Sequence, residues 1–200
     1  MLHHTLNFLS QEMNAYLNVR NNDGIDKVVT SNVADESGNW AIPNERLGLS
    51  IINVEEERVY KEQRTSHVDM DGITSTRNPE LRLNLYLLVT SNFSGQNGFD
   101  ETMYQEGLKQ LSYVISFFQE KSVFTQGNSP LMAAIDENME KLIVELFSFS
   151  FDQLNNFWSA IGAKYLPSVL YKVRMLRFQE NSIGSINPAL TGIVINKATR

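Results

Sequence analysis

The chain has 200 residues, 42% of them hydrophobic and 20% charged, which suffices for one domain with a substantial core. A formal net charge of −6 argues against a nucleic-acid partner, which calls for a basic stripe and a high pI. The absence of cysteine excludes disulfides, thiolate metal sites and cysteine catalysis, and fits assembly in a reducing cytoplasm.

The N-terminal sequence MLHHTLNFLSQEMN carries no basic residue before its apolar positions and no small-residue cleavage site, so it does not read as a signal peptide. No apolar run reaches the ~20 residues of a membrane-spanning helix. Instead Leu2, Leu6, Leu9, Met13 and Leu17 recur at helical spacing, with Asn7, Gln11, Asn14 and Asn18 on the opposite face, which predicts an amphipathic helix. Asn21-Asn22-Asp23-Gly24 tolerates the left-handed conformation that ends it. Val28, Val29 and Val33 predict a strand of moderate strength, followed by a turn-rich loop from Asp35 to Pro43.

Alternation at Leu47, Leu49 and Ile51 predicts a strand that runs from Arg46 through Val54 into Glu55-Glu56-Glu57-Arg58. Lys61 to Glu80 is polar, with turn signals at Asp71-Gly72 and Asn78-Pro79, and reads as a loop or projecting hairpin suited to a contact arm. Leu81, Leu83, Leu85, Leu87 and Val89 predict another strand. After a Gly/Asn loop, Asp100 is placed to cap a helix whose apolar stripe is Tyr104, Leu108, Leu111, Ile115 and Phe118, widened by Met103, Gly107 and Val114. Ser122 to Phe124 is a candidate edge strand, Leu131 to Asp136 a helical turn, and Lys141 to Ser148 a strand.

The stretch Ser150 to Phe178 carries the densest local signals. Ser150 with Gln153 is a capping-box signature, flanked by Phe149 and Leu154 at staple positions. Leu154, Trp158 and Ile161 share one helix face, Gly162 ends the helix, and Pro167 opens a long strand. On that strand Val169, Tyr171, Val173 and Met175 share one face, and Ser168, Leu170, Lys172, Arg174 and Leu176 the other. The tail has turn signals at Gly184 and Asn187-Pro188 and a last strand at Gly192 to Ile195. Roughly six strands and three helices without β-α-β alternation define an α+β fold: a mostly antiparallel or mixed sheet with helices laid on it, as one domain over residues 1–200.

Chemical motifs are sparse. His67-Val-Asp69-Met-Asp71-Gly72 resembles a calcium loop but has His at the first ligand position and Asn78 at the twelfth, where a bidentate Glu belongs; it reads as a solvated turn. His3 and His4 read as exposed terminal histidines rather than a chelating pair. Asn92-Phe-Ser94 matches a glycosylation sequon only coincidentally. Trp158, Tyr165 and Tyr171 read as core aromatics, the alternative being the lining of a ligand pocket in a monomeric binding domain. Glu55, Glu56 and Glu57 read as a charged sheet end or interface patch. Lys164, Lys172, Arg174 and Arg177, set against Asp152 alone, form a modest basic patch whose expected partner is that acidic triplet, within the chain or in a neighbouring subunit. No positioned base and nucleophile is present, so no enzymatic activity, metal or other cofactor is expected.

The run FWSAIGAKYLPSVLYKVRML, Phe157 to Leu176, closely resembles a motif of the cap, or tail-terminator, proteins of extracellular contractile injection systems, of the antifeeding-prophage and Photorhabdus virulence cassette type. Asn44 to Arg58, Leu81 to Phe93, Tyr104 to Gln119 and Thr191 to Ile195 match in the same order, so the resemblance covers nearly the whole chain from the first helix. Some longer relatives carry an extension after this domain. The resemblance implies a tail-terminator-like fold and a structural role: a homohexameric ring that closes the baseplate-distal end of the inner tube, contacts the last sheath ring and ends polymerisation. It implies tube and sheath proteins as partners, assembly in the cytoplasm on a particle that can leave the cell, and no nucleic acid or membrane. Glu55, Glu57, Arg58, Lys164, Lys172 and Arg174 are then the candidate interface residues. Ser150, Gln153, Trp158, Gly162, Tyr165, Pro167 and Tyr171 form the structural motif of the helix-to-strand corner.

Overall fold

A computed structural model describes residues 1–57, 66–68, 74–77, 81–94, 100–178 and 183–187. In order these form α1 (Leu2–Asn21), β1 (Val28–Thr30), β2 (Arg46–Glu56), β3 (Ser66–Val68), β4 (Thr74–Arg77), β5 (Leu81–Asn92), α2 (Glu101–Glu120), β6 (Val123–Thr125), α3 (Pro130–Ile135), β7 (Lys141–Phe147), α4 (Phe151–Ile161), β8 (Ser168–Phe178) and β9 (Ile183–Asn187). The chain divides into two compact units, Met1–Glu55 with Leu83–Leu176, and Glu56–Arg82 with Arg177–Arg200.

The first unit is built on a six-stranded sheet in the order β1-β2-β5-β8-β7-β6. β1 runs parallel to β2, while β7 is antiparallel to both β6 and β8, so the α+β class and the mixed sheet are as expected. One face of the sheet carries the larger core. There Phe8, Leu9, Met13 and Leu17 of α1 and Leu111, Val114, Phe117 and Phe118 of α2 pack with Leu85, Leu87, Leu142, Val144, Tyr171 and Val173. Alternation of side chains along each strand sends Leu88 and Leu170 into a second cluster with Val33, Trp158 and Leu166, beneath α4.

Helix ends follow the local signals. Asn22 caps α1 at φ 54° and ψ 36°, Asp100 accepts from the N–H groups of Thr102 and Met103, and the Ser150–Gln153 box is reciprocal, at 3.3 and 2.9 Å. Gly162 closes α4 at φ 72°, a left-handed conformation that favours glycine.

Helix faces depart from the sequence pattern at two places. Asn14, expected on the solvent face of α1, is buried: its side-chain oxygen accepts from Val28 N–H at 2.8 Å and its amide donates to Val28 O at 2.9 Å. The helix thereby satisfies the edge of β1 as a strand would. On α2 the core stripe is Gly107, Gln110, Leu111, Val114, Phe117 and Phe118, rotated from the expected one, and Tyr104, Leu108 and Ile115 are exposed. Gly107 explains the rotation: a Cβ there would lie 2.6 Å from Ser91 Oγ and 2.9 Å from Phe93 Cβ, so the helix approaches β5 at its one residue without a side chain.

The second unit contains a three-stranded antiparallel sheet, β3-β4-β9. β3 and β4 supply a hairpin within the polar Lys61–Glu80 segment, as one of its two expected forms. β9 occupies Ile183–Asn187, where turn signals at Gly184 and Asn187 had been expected to interrupt the chain. The strand expected at Gly192–Ile195 lies outside the described residues.

Candidate assembly interface

The β7–α4–β8 corner brings most of the singled-out residues together. Its position follows from the cap at Ser150, the reversal at Gly162 and the entry at Pro167, whose carbonyl accepts from Ser91 N–H at 2.9 Å and ties the start of β8 to β5. Trp158 and Tyr171 are core residues, as expected, but in different clusters on opposite faces of the sheet. They therefore cannot line one pocket. Tyr171 packs against Phe118 with ring centroids 4.5 Å apart, and burial pushes its phenol well above the ordinary range. Tyr165 departs from the core expectation: it is 59% exposed and sets its ring edge-on to Trp158 at 5.5 Å.

Within its own chain Arg174 does not pair with the acidic triplet, which leaves the other expected form of that contact, with a neighbouring subunit. Arg174 Nη2 lies 2.6 Å from Glu145 Oε2 on β7, with both side chains nearly half exposed. β5 lies between β2, which carries Glu55, and β8, so within the chain Arg174 takes the carboxylate of the adjacent strand β7. Glu55 instead accepts from the Tyr86 hydroxyl at 2.9 Å. The Lys172 ammonium sits 5.4 Å from the centre of that same Tyr86 ring and is directly opposite Glu145 in the β7–β8 register. Glu55, Tyr86, Lys172, Glu145 and Arg174 thus form a row of alternating polarity across four strands, β2-β5-β8-β7. Sequence reasoning missed Glu145 and Tyr86. The available signal was the β7 alternation, which puts Glu145 on the same face as Phe147 and Ile143.

Lys164 is exposed, and its backbone carbonyl accepts from Trp40 Nε1 at 3.1 Å. The backbone N–H of Glu57 donates to Arg82 O at 2.8 Å. Arg58 lies outside the described residues. Exposed pairs such as Arg174–Glu145 contribute about 0–1 kcal/mol to folding, so this row does little for stability.

Two smaller motifs acquire local roles. His4 is not a free terminal histidine: its Nδ1 lies 2.8 Å from Asp136 Oδ2. That hydrogen bond holds the Asp136 carboxyl below the usual carboxylate range. Asn92 of the sequon is buried, with its amide donating to Ile42 O at 2.6 Å. The calcium-like segment from Asp69 lies outside the described residues. Among the described residues no cluster of His, Asp or Glu is disposed to hold a metal ion, and no helix is long and apolar enough to cross a membrane.

The family model of the Pvc16 N-terminal domain matches residues 4–191. The chain belongs to that family. No curated protein sequence matches it. Among solved structures the chain is similar to the sheath/tube terminator of PVC, an extracellular contractile injection system, in its extended state, with a TM-score of 0.61, 11% identity and all of this chain covered. It is also similar to the tube-terminating cap of the anti-feeding prophage, with a TM-score of 0.58, 12% identity and 96% of this chain covered. The chain spans 64% and 60% of the lengths of those two proteins. At such identities the likeness establishes the fold: this is a terminator-like α+β architecture.

Proposed function

We propose that the chain is a structural cap that ends the inner tube and sheath of a phage-tail-like contractile injection system. The observation that carries this reading is the superposition of the entire chain on a sheath/tube terminator, joined to membership of the Pvc16 N-terminal domain family. In this reading the protein acts by assembly and not by catalysis. It forms a homohexameric ring, meets the last tube and sheath subunits, and assembles in the cytoplasm on a particle that can leave the cell.

A ring of identical subunits uses a heterologous interface, in which two different patches of each copy meet. Glu55, Glu57, Arg58, Lys164, Lys172 and Arg174 are the residues assigned to that contact. The alternating row on the sheet supports this assignment, because interleaved charges set register and disfavour wrong partners. Deleting the gene should give tubes of uncontrolled length, or sheaths that fail to stay extended, measured by electron microscopy. Particles of normal, defined length that still contract would refute the proposal.

A further inference from the structure

The outer edge of β2 is only partly used. Its neighbour β1 pairs over Val28–Thr30 with Leu47–Leu49, and the last bond of that ladder is Ser31 N–H to Leu49 O at 3.2 Å. The next rung of a parallel ladder would run to the Ser31 carbonyl. That carbonyl accepts instead from Ser50 Oγ at 2.6 Å, and the chain turns away into a loop pinned by the Ala34–Trp40 bridge. β2 continues to Glu56, and among the described residues no strand pairs with its outer edge past Leu49.

A groove opens at this place. It is lined by Asn32–Asp35, Ser50–Ile52, and Phe157 and Ile161 of α4, and its volume is about 270 Å³. Val33, Ile52, Phe157 and Ile161 belong to the second apolar cluster, so the groove leads from the sheet edge into core-like surface. That volume falls below the ~300–1,000 Å³ of small-molecule sites and suits a single large side chain. An open strand edge facing a helix, with an apolar recess between them, is the arrangement in which an extended peptide adds as a strand: main-chain bonds supply affinity and the recess supplies specificity.

The rim is acidic. The Asp35 carboxylate accepts from Ser37 N–H at 2.9 Å and Asn39 N–H at 2.8 Å. None of the residues lining the groove is basic. The other edge strands of the six-stranded sheet, β1 and β6, are three residues each, too short to serve as the added strand from a second copy.

We propose that this groove binds an extended segment of a different polypeptide, which adds to the outer edge of β2, seats one large apolar side chain between Ile52, Phe157 and Ile161, and sets a basic residue against Asp35. The proposal stands independently of the cap reading, because it concerns the isolated chain. The experiment is to pan a random peptide library displayed on phage against the purified full chain, then to measure synthetic copies of enriched peptides by calorimetry. Enriched sequences should share a large apolar residue near a Lys or Arg. Ile161→Arg should weaken them at least about ten-fold, and Asp35→Asn, a milder change, should weaken those with the basic residue most. Methylating alternate backbone nitrogens of the peptide should abolish binding, which mere hydrophobic adhesion would not show. No enrichment, peptides indifferent to backbone methylation, or peptides that bind both variants as tightly as the parent would overturn the proposal. So would a groove variant that changes only the mass of the chain in solution, since a second copy would then be the occupant.

Discussion

Asn14→Ala separates the sequence pattern from the structure by sign. Read on the helical pattern alone, Asn14 faces solvent, and Ala in a helix is favoured over Asn by about 0.5 kcal/mol, so the substitution should stabilise. In the structure Asn14 is 8% exposed and makes two hydrogen bonds to Val28, at 2.8 and 2.9 Å. Losing both leaves a buried N–H without a partner and a carbonyl with only the long 3.4 Å contact from Ser10 Oγ. Each orphaned buried group costs about 1–3 kcal/mol. Setting the propensity gain against this, and allowing the carbonyl part of its satisfaction from Ser10, the expected loss is about 1–4 kcal/mol. The assay is urea unfolding followed by circular dichroism, with Gln11→Ala, exposed one turn earlier, expected within about 0.5 kcal/mol of the parent. Hydrogen exchange of the Val28 amide should accelerate in Asn14→Ala and not in Gln11→Ala. An Asn14→Ala chain as stable as the parent, with Val28 equally protected, would refute the argument that the helix side chain completes the edge of β1.

Three further outcomes are expected. Gly107→Val should lower stability by about 1–3 kcal/mol, since even its Cβ would lie 2.6 Å from Ser91 Oγ; equal unfolding midpoints would show that α2 shifts at no cost. Arg174→Glu should change monomer stability by less than about 1 kcal/mol yet lower the proportion of rings in sedimentation, with partial recovery on adding Glu145→Arg; unchanged ring content would remove Arg174 from the interface. Asp136, held low by His4, contributes stability that is present above its unfolded pKa of about 3.9 and is lost as pH falls toward its lower folded value. Asp136→Asn should therefore flatten the fall in urea midpoint below about pH 4, and an unaltered acid limb would contradict that assignment.

Local chemistry determined much of this protein. Caps act over three or four residues, so Asp100, the Ser150–Gln153 box, Asn22 and Gly162 were legible without any partner element, and strand alternation separated the two faces of β8 before the sheet was known. Short-range order also carried the family signature between Phe157 and Leu176. What tertiary structure decided were the pairings between elements distant in the chain. Strand order, with β7 beside β8 and β5 between β8 and β2, gave Arg174 the carboxylate of Glu145 as its partner within the chain. Close approach of α2 to Ser91 and Phe93 at Gly107 chose which apolar residues were buried, from a stripe wide enough to allow two answers. The bond from Asn14 to Val28 put a polar residue in the core, since an edge strand three residues long left backbone groups that something had to satisfy. Hydrophobic periodicity reports that a face exists; which neighbour covers it depends on strand order and register, and those are properties of the assembled sheet.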